Sequence, residues 1–320
     1  MNQTSTPPPI FLVGAECSGT VLLRLMLHNH PQVTWCDEFE YVVDRLGVKG
    51  EFPPLQAYYD WLATHRIFQS RGFIIDTNLS YPELAQSFLE QQRERHQKPI
   101  VGAIVHRHFD RLLYIWPQAR FIHIVRDPRD VAQDAIALGW SGNVWTGVEQ
   151  WLLAEYLWEG FALQLPSDRQ LTLRYEDLMT DHPSVLSQLC AFVGVEYDSA
   201  MLDYTTYTDY ALPVPQQSQL WKDALEATEI QLIEARVGDL LEQRGYQPSG
   251  LPKLKPSWRD RLYLKLQSRL TRTQFRLNRY GWQLFLQETL TRKLGLKALH
   301  RPIQYQLNEI DRRYLKKSWR

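Results

Sequence analysis

At 320 residues and 44% hydrophobic content the chain is long and apolar enough for one large or two ordinary packed domains, and its 36 basic and 36 acidic side chains leave no net charge. No run of 18 apolar residues exists to span a bilayer, and the opening MNQTSTPPPIFL lacks the basic start and apolar stretch of a secretory leader. Cys17, Cys36 and Cys190 are odd in number and lack metal-ligand spacing, so they read as reduced thiols, and the expected location is the cytoplasm.

The first element is the most informative. In IFLVGAECSGTVLLRLMLHNHP, residues 10–31, an apolar strand over 10–14 breaks at Gly14 into a small-residue turn and resumes as an apolar helix over 18–29. Backbone N–H groups of such a turn, reinforced by the helix dipole, form an anion cradle. The spacing Gly14-x4-Gly19-Thr20 approaches a nucleotide-binding Walker loop, but the lysine that follows the second glycine there is missing. That absence argues against an ATPase, a GTPase or a small-molecule kinase. The alternative is an ordinary strand-to-helix turn that holds no ligand.

Further strands are expected at 72–76, 100–105, 121–125 and 170–174, and helices at 82–96, 107–116, 128–139, 145–164, 183–194 and 226–243. Strands alternating with helices predict an α/β fold with a parallel central sheet covered on both faces. Ligands of such sheets bind beyond the carboxyl ends of the strands, where both the Gly14–Thr20 turn and Arg126 fall.

Gly, Ser and three prolines in GYQPSGLPKLKPSW, residues 245–258, mark a boundary, dividing an α/β domain over 8–250 from a helical extension over 251–320. From residue 256 onward 16 basic residues face 4 acidic ones, a net charge of +12, which leaves −12 on residues 1–255. Leu262, Leu266 and Leu270 recur every four residues among Arg259, Arg261, Lys265, Arg269, Arg272 and Arg276. Residues 257–318 therefore read as basic amphipathic helices, suited to an anionic membrane surface as a peripheral attachment or to the chain's own acidic region. Nucleic acid fits poorly, because apolar positions interrupt the basic ones and no reading motif accompanies them.

Three segments in order, 10–31, WPQARFIHIVRDPRDVAQDAIALGW at 116–140 and LTLRYEDLMTDHPSVLSQLCAFVGVEYDSAML at 171–202, resemble the sulfotransferases that use 3′-phosphoadenosine 5′-phosphosulfate. The resemblance implies a P-loop NTPase-like fold and transfer of a sulfuryl group to a hydroxyl or amine of a small-molecule, glycan or peptide acceptor. It implies that donor as cofactor and no metal. It places the 5′-phosphate on Ser18, Gly19 and Thr20, the 3′-phosphate on Arg126 and the residue at Asp134, and the nucleotide against Tyr175. Glu38, eight positions after His30, matches the catalytic glutamate of tyrosylprotein-type members, with Asp37 and Glu40 as competitors.

Three positions depart from the family pattern. Cys17 stands where a basic residue normally precedes Ser-Gly-Thr, Asp134 where a serine helps hold the 3′-phosphate, and Ile104 where many members have lysine. Losing one preorganised donor to the leaving group costs about 3 to 4 kcal/mol of transition-state stabilisation. His106, Arg107 or His108 would have to supply the missing charge. The competing expectation is a degenerate member that binds an anionic ligand or a partner without turnover.

Overall fold

The computed structural model describes residues 7–318; residues 1–6, which open the stretch read for a leader, and Trp319 and Arg320, which end the expected extension, lie outside the described residues. In chain order the elements are β1 (Ile10–Val13), α1 (Thr20–Asn29), β2 (Val33–Glu38), α2 (Leu55–Leu62), α3 (Arg66–Arg71), α4 (Tyr81–His96), β3 (Ile100–Val105), β4 (Arg120–Val125), α5 (Pro128–Ala137), α6 (Val144–Gly147), α7 (Glu149–Ala162), β5 (Gln170–Arg174), α8 (Tyr175–Thr180), α9 (His182–Val193), α10 (Trp221–Ala224), α11 (Ala227–Val237), α12 (Leu240–Gln243), α13 (Trp258–Tyr280), α14 (Trp282–Lys293) and α15 (Lys297–Ser318). They form two compact units, one within Met1–Arg126 and Gln150–Gln219, the other within Asp127–Glu149 and Leu220–Arg320.

The first unit is built on a five-stranded parallel sheet in the order β2-β3-β1-β4-β5. Successive strand side chains point to opposite faces, so each apolar strand feeds two cores. Ile10, Leu12, Ile122 and Ile124 pack with leucines of α1, α8 and α9 on one face. Phe11, Val13, Ala103 and Phe121 pack with Phe88 of α4 and Trp158 and Phe161 of α7 on the other. Ser80 and Glu83 close a capping box at the start of α4, satisfying backbone groups that its first turn would otherwise leave open.

Two expectations fail in this unit. Residues 72–76 are not a strand: Gly72 closes α3 in the left-handed region, and both backbone groups of Ile74 bond to the Gln91 side-chain amide, at 2.8 and 2.9 Å. One side chain thereby replaces a sheet ladder. The fifth strand is β2, in a stretch where the sequence pattern predicted no element; it pairs with β3 so that Trp35 lies opposite Gly102, where a Cβ would stand 2.4 Å from the indole. The helix expected over 107–116 is a 3-10 stretch, Phe109–Tyr114, entered through His108 at positive φ.

The second unit is helical. Its buried hub is Arg129, which donates to both Asp127 oxygens at 2.8 and 2.7 Å and to Glu234 at 2.9 Å, and lies 3.7 Å over the Trp221 ring. The expected 226–243 helix is interrupted at Gly238, with φ 57, into α11 and α12. Between 258 and 318 the chain forms three helices, α13, α14 and α15, broken only at Gly281 and at 294–296, in keeping with the periodicity.

Candidate anion-binding site

Register brings the site residues of the first unit to one edge. Val13 is level with Val105 and His123, so the turn after β1, the residue after β3 and the residue after β4 emerge together at the carboxyl ends of the strands. Gly14, with φ 144, passes so close to β4 that a Cβ would stand 2.3 Å from the Ile124 carbonyl oxygen, a space open only to glycine. The turn then closes through Ser18 N–H on the Ala15 carbonyl, with Cys17 in the left-handed region at φ 65. Ser18 is fully buried, and its hydroxyl has no hydrogen-bond partner among the described residues.

Arg126 and Tyr175 come to this turn from β4 and α8. The Arg126 guanidinium donates to the Cys17 carbonyl at 2.8 Å and lies 4.6 Å over the Tyr175 ring. That ring fills the space beside Gly19, where a Cβ would stand 2.4 Å away. Behind Arg126, the indole N–H of Trp151 on α7 donates to the Arg126 carbonyl at 2.9 Å. Sequence reading did not single out Trp151 as a support, since a tryptophan in a helical pattern gives no sign of what its N–H meets.

A buried chain of polar groups reaches the turn from the other side. Glu40 Oε1 accepts from His106 twice, from the backbone N–H at 2.9 Å and from Nδ1 at 2.7 Å, while His106 Nε2 stands 3.1 Å from Thr20 Oγ1. Burial alone would lower the His106 pKa; its hydrogen bond to Glu40 and the charges of Glu40, Glu16 and Glu38 outweigh this and push it up to about 9. Burial alone would raise Glu40, but the same bonds and charge from His106 hold it below the usual carboxylate value. At neutral pH the imidazolium donates from both nitrogens, so Thr20 Oγ1 accepts and its own hydrogen is left to point elsewhere. Ile104 is core, buried against the α1 face; this strand's cation at the edge is His106, two residues on.

Glu38 ends β2 beside a register irregularity and is half-buried. Burial, then the charge of Glu40, raises its pKa, with His106 and Arg66 opposing. Asp37, a competitor for its role, is ion-paired with Arg24 at 2.7 Å and with Arg71. Arg107 is likewise engaged, holding Asp44 through two bonds of 2.8 and 2.7 Å. Ser18, Gly19, Thr20, Arg126 and Tyr175 are thus one cluster, whereas Asp134 lies on α5 in the second unit. No group of three or more His, Cys, Asp or Glu suited to a metal occurs among the described residues.

A family model described as the sulfotransferase family matches residues 8–199. The omega-hydroxy-beta-dihydromenaquinone-9 sulfotransferase Stf3 of Mycobacterium bovis is 29% identical over 160 residues, 42% of this chain and 37% of that protein. The protein of the same name from Mycobacterium tuberculosis gives the same figures. These matches therefore span well under half the length of either relative. Among solved structures, the sulfotransferase domain of the Synechococcus PCC 7002 olefin synthase superposes with a TM-score of 0.51 at 20% identity, over 79% of this chain and 98% of that one, a likeness of fold.

Proposed function

The chain belongs to the sulfotransferase family, and on that premise we propose that it transfers a sulfuryl group from 3′-phosphoadenosine 5′-phosphosulfate to a hydroxyl or amine of an acceptor. The observation that carries this reading is the convergence on one turn of the unpartnered Ser18 hydroxyl, the Thr20–His106 contact and the Arg126 guanidinium. These groups fit a nucleotide that carries two phosphates: N–H donors at a helix start with two hydroxyls and His106 behind them for one, and the Arg126 guanidinium for the other. When bound, the donor supplies the activated sulfuryl group and a phosphate to leave with.

The chain's own residues hold and balance the charges. Ser18, Gly19 and Thr20 bind the 5′-phosphate, and Arg126, stacked on Tyr175, binds the 3′-phosphate end of the nucleotide without a hydroxyl from position 134, because Asp134 has none to give. Glu38 accepts the acceptor proton, and its raised pKa makes it a stronger base than an ordinary carboxylate. His106 takes over the role of the absent basic residue at Cys17, its imidazolium polarising the Thr20 hydroxyl that donates to the leaving phosphate. The acceptor class is a small-molecule alcohol, by likeness to relatives named for a hydroxylated menaquinone; glycan and peptide acceptors have no such support.

Calorimetric titration with 3′-phosphoadenosine 5′-phosphate tests the reading. Saturable binding is expected, weakened about tenfold or more by Arg126→Ala; no binding at millimolar ligand would overturn it. Cys17 favours a second reading, a binder that has lost turnover. Binding by the native chain, with sulfuryl transfer appearing only in Cys17→Arg, would select it.

A further inference from the structure

In the second unit α13 is attached by the wrong face for an ordinary surface helix. Apart from the Phe275 ring against Gly139, its contacts with the turn between α5 and α6 are polar and close: Asn143 Nδ2 donates to the Leu264 carbonyl at 2.7 Å and to Gln267 at 2.9 Å, and the Gly142 N–H donates to Ser268 Oγ at 3.0 Å. Ser268, only 3% exposed, is the buried residue of the helix. The apolar residues that should have made this contact face solvent instead. Trp258, Leu262, Leu266 and Leu270, spaced by four along one side, are all exposed, Leu270 by 73%. On α14, Trp282, Leu286, Leu290 and the following Leu294 repeat the pattern.

Charge lies along the flank of this stripe. Lys265 and Arg269 follow Leu262 and Leu266 by three residues, Arg272 follows Arg269 by three, and none of the three has an acidic partner among the described residues. Over α13 as a whole seven basic residues face one acid, Asp260. No helix among the described residues is long and apolar enough to cross a membrane.

We propose that the exposed faces of α13 and α14 dock this protein on an anionic lipid bilayer, lying in the interface rather than spanning it. Leucines enter the acyl boundary, the tryptophans that begin each helix sit at headgroup depth, and the flanking lysine and arginines reach back to lipid phosphates. Nucleic acid would engage only the basic flank and leave the leucines wet. The proposal does not rest on the transfer chemistry, and its test reads binding alone.

The intact protein is co-sedimented with vesicles of equal phosphatidylglycerol and phosphatidylcholine and with phosphatidylcholine alone. Partition onto the anionic vesicles and little onto the neutral ones is expected, falling as salt is raised. Leu262→Gln, Leu266→Gln and Leu270→Gln together, at positions already in solvent, should weaken it about tenfold or more, as should Lys265→Glu, Arg269→Glu and Arg272→Glu together. Absence of partition, or either triple variant partitioning like the native chain, would overturn the proposal. So would sedimentation velocity showing, without lipid, a dimer that the leucine variant abolishes, since the face would then belong to a second copy.

Discussion

The Glu40–His106 pair sets a pH window for stability. His106, raised from 6.5 to about 9, contributes stability that is complete below 6.5 and lost as pH rises through about 9; Glu40, held below 4.5, contributes stability that is complete above 4.5 and lost on acidification. The pair is therefore at full strength between about pH 4.5 and 6.5. His106→Gln should cost about 3 kcal/mol at pH 6 and far less above pH 9, read from denaturant midpoints at both values; equal losses would mean that His106 stays neutral. Glu38→Gln addresses the proton. It should leave nucleotide binding nearly unchanged and lower kcat by about 10² to 10⁴, while native activity climbs with pH through a pKa above the ordinary carboxylate range, because burial has raised it. Ser18, Arg126 and Tyr175 were legible because each stands in a short motif after an apolar strand. The proton chain was not: Glu40 and His106 stand 66 residues apart, and only the pairing of β2 with β3 brings them together.

At the level of elements, sequence pattern located four of the five strands, β5 at one edge of the sheet among them, and missed β2 at the other edge. Val33–Glu38 carries Thr, Cys, Asp and Glu and ends in a run of acids, so its apolar signal is weak, whereas FIID at 73–76 is apolar yet has its backbone paired by Gln91. Composition decided the reading, and hydrogen-bond supply decided the fold. Helix α7 carries the same lesson for the site. It presents Trp151 to the Arg126 carbonyl, Glu155 to His123 at 3.0 Å, and Trp158 in a stack on His123 with centroids 4.6 Å apart, so one helix fixes the last turn of β4. Trp151→Phe removes the N–H and keeps most of the bulk. It should weaken 3′-phosphoadenosine 5′-phosphate binding about threefold to tenfold, the loss of about one hydrogen bond, with far-ultraviolet circular dichroism unchanged. Affinity equal to the native chain would show that Arg126 holds its place without this support.

On the scale of the whole molecule, zero net charge conceals a division that the sequence displays plainly, +12 after residue 255 and −12 before it. The direction of the C-terminal helices was not displayed with it. An amphipathic pattern normally means that leucines face inward, and here a pair of glycines reverses that. Gly139 and Gly142 let α13 approach the backbone itself: a Cβ on Gly142 would stand 2.6 Å from the Ser268 carbonyl oxygen and 2.7 Å from its Cα, and one on Gly139 would stand 2.2 Å from the Phe275 ring. Neither neighbour at Gly142 is a flexible side-chain end, so the helix itself must yield. Gly142→Val should therefore loosen α13 as a body, breaking the bonds from Asn143 and Gly142 that hold it. The sheet's two cores are built from residues of the first unit and contain nothing from α13, so they should survive. Hydrogen exchange resolves the two outcomes. Faster exchange across 258–280 with undiminished protection in β1 and β4 is the expected result; uniform loss across the chain would mean that the helix and the sheet unfold as one cooperative body.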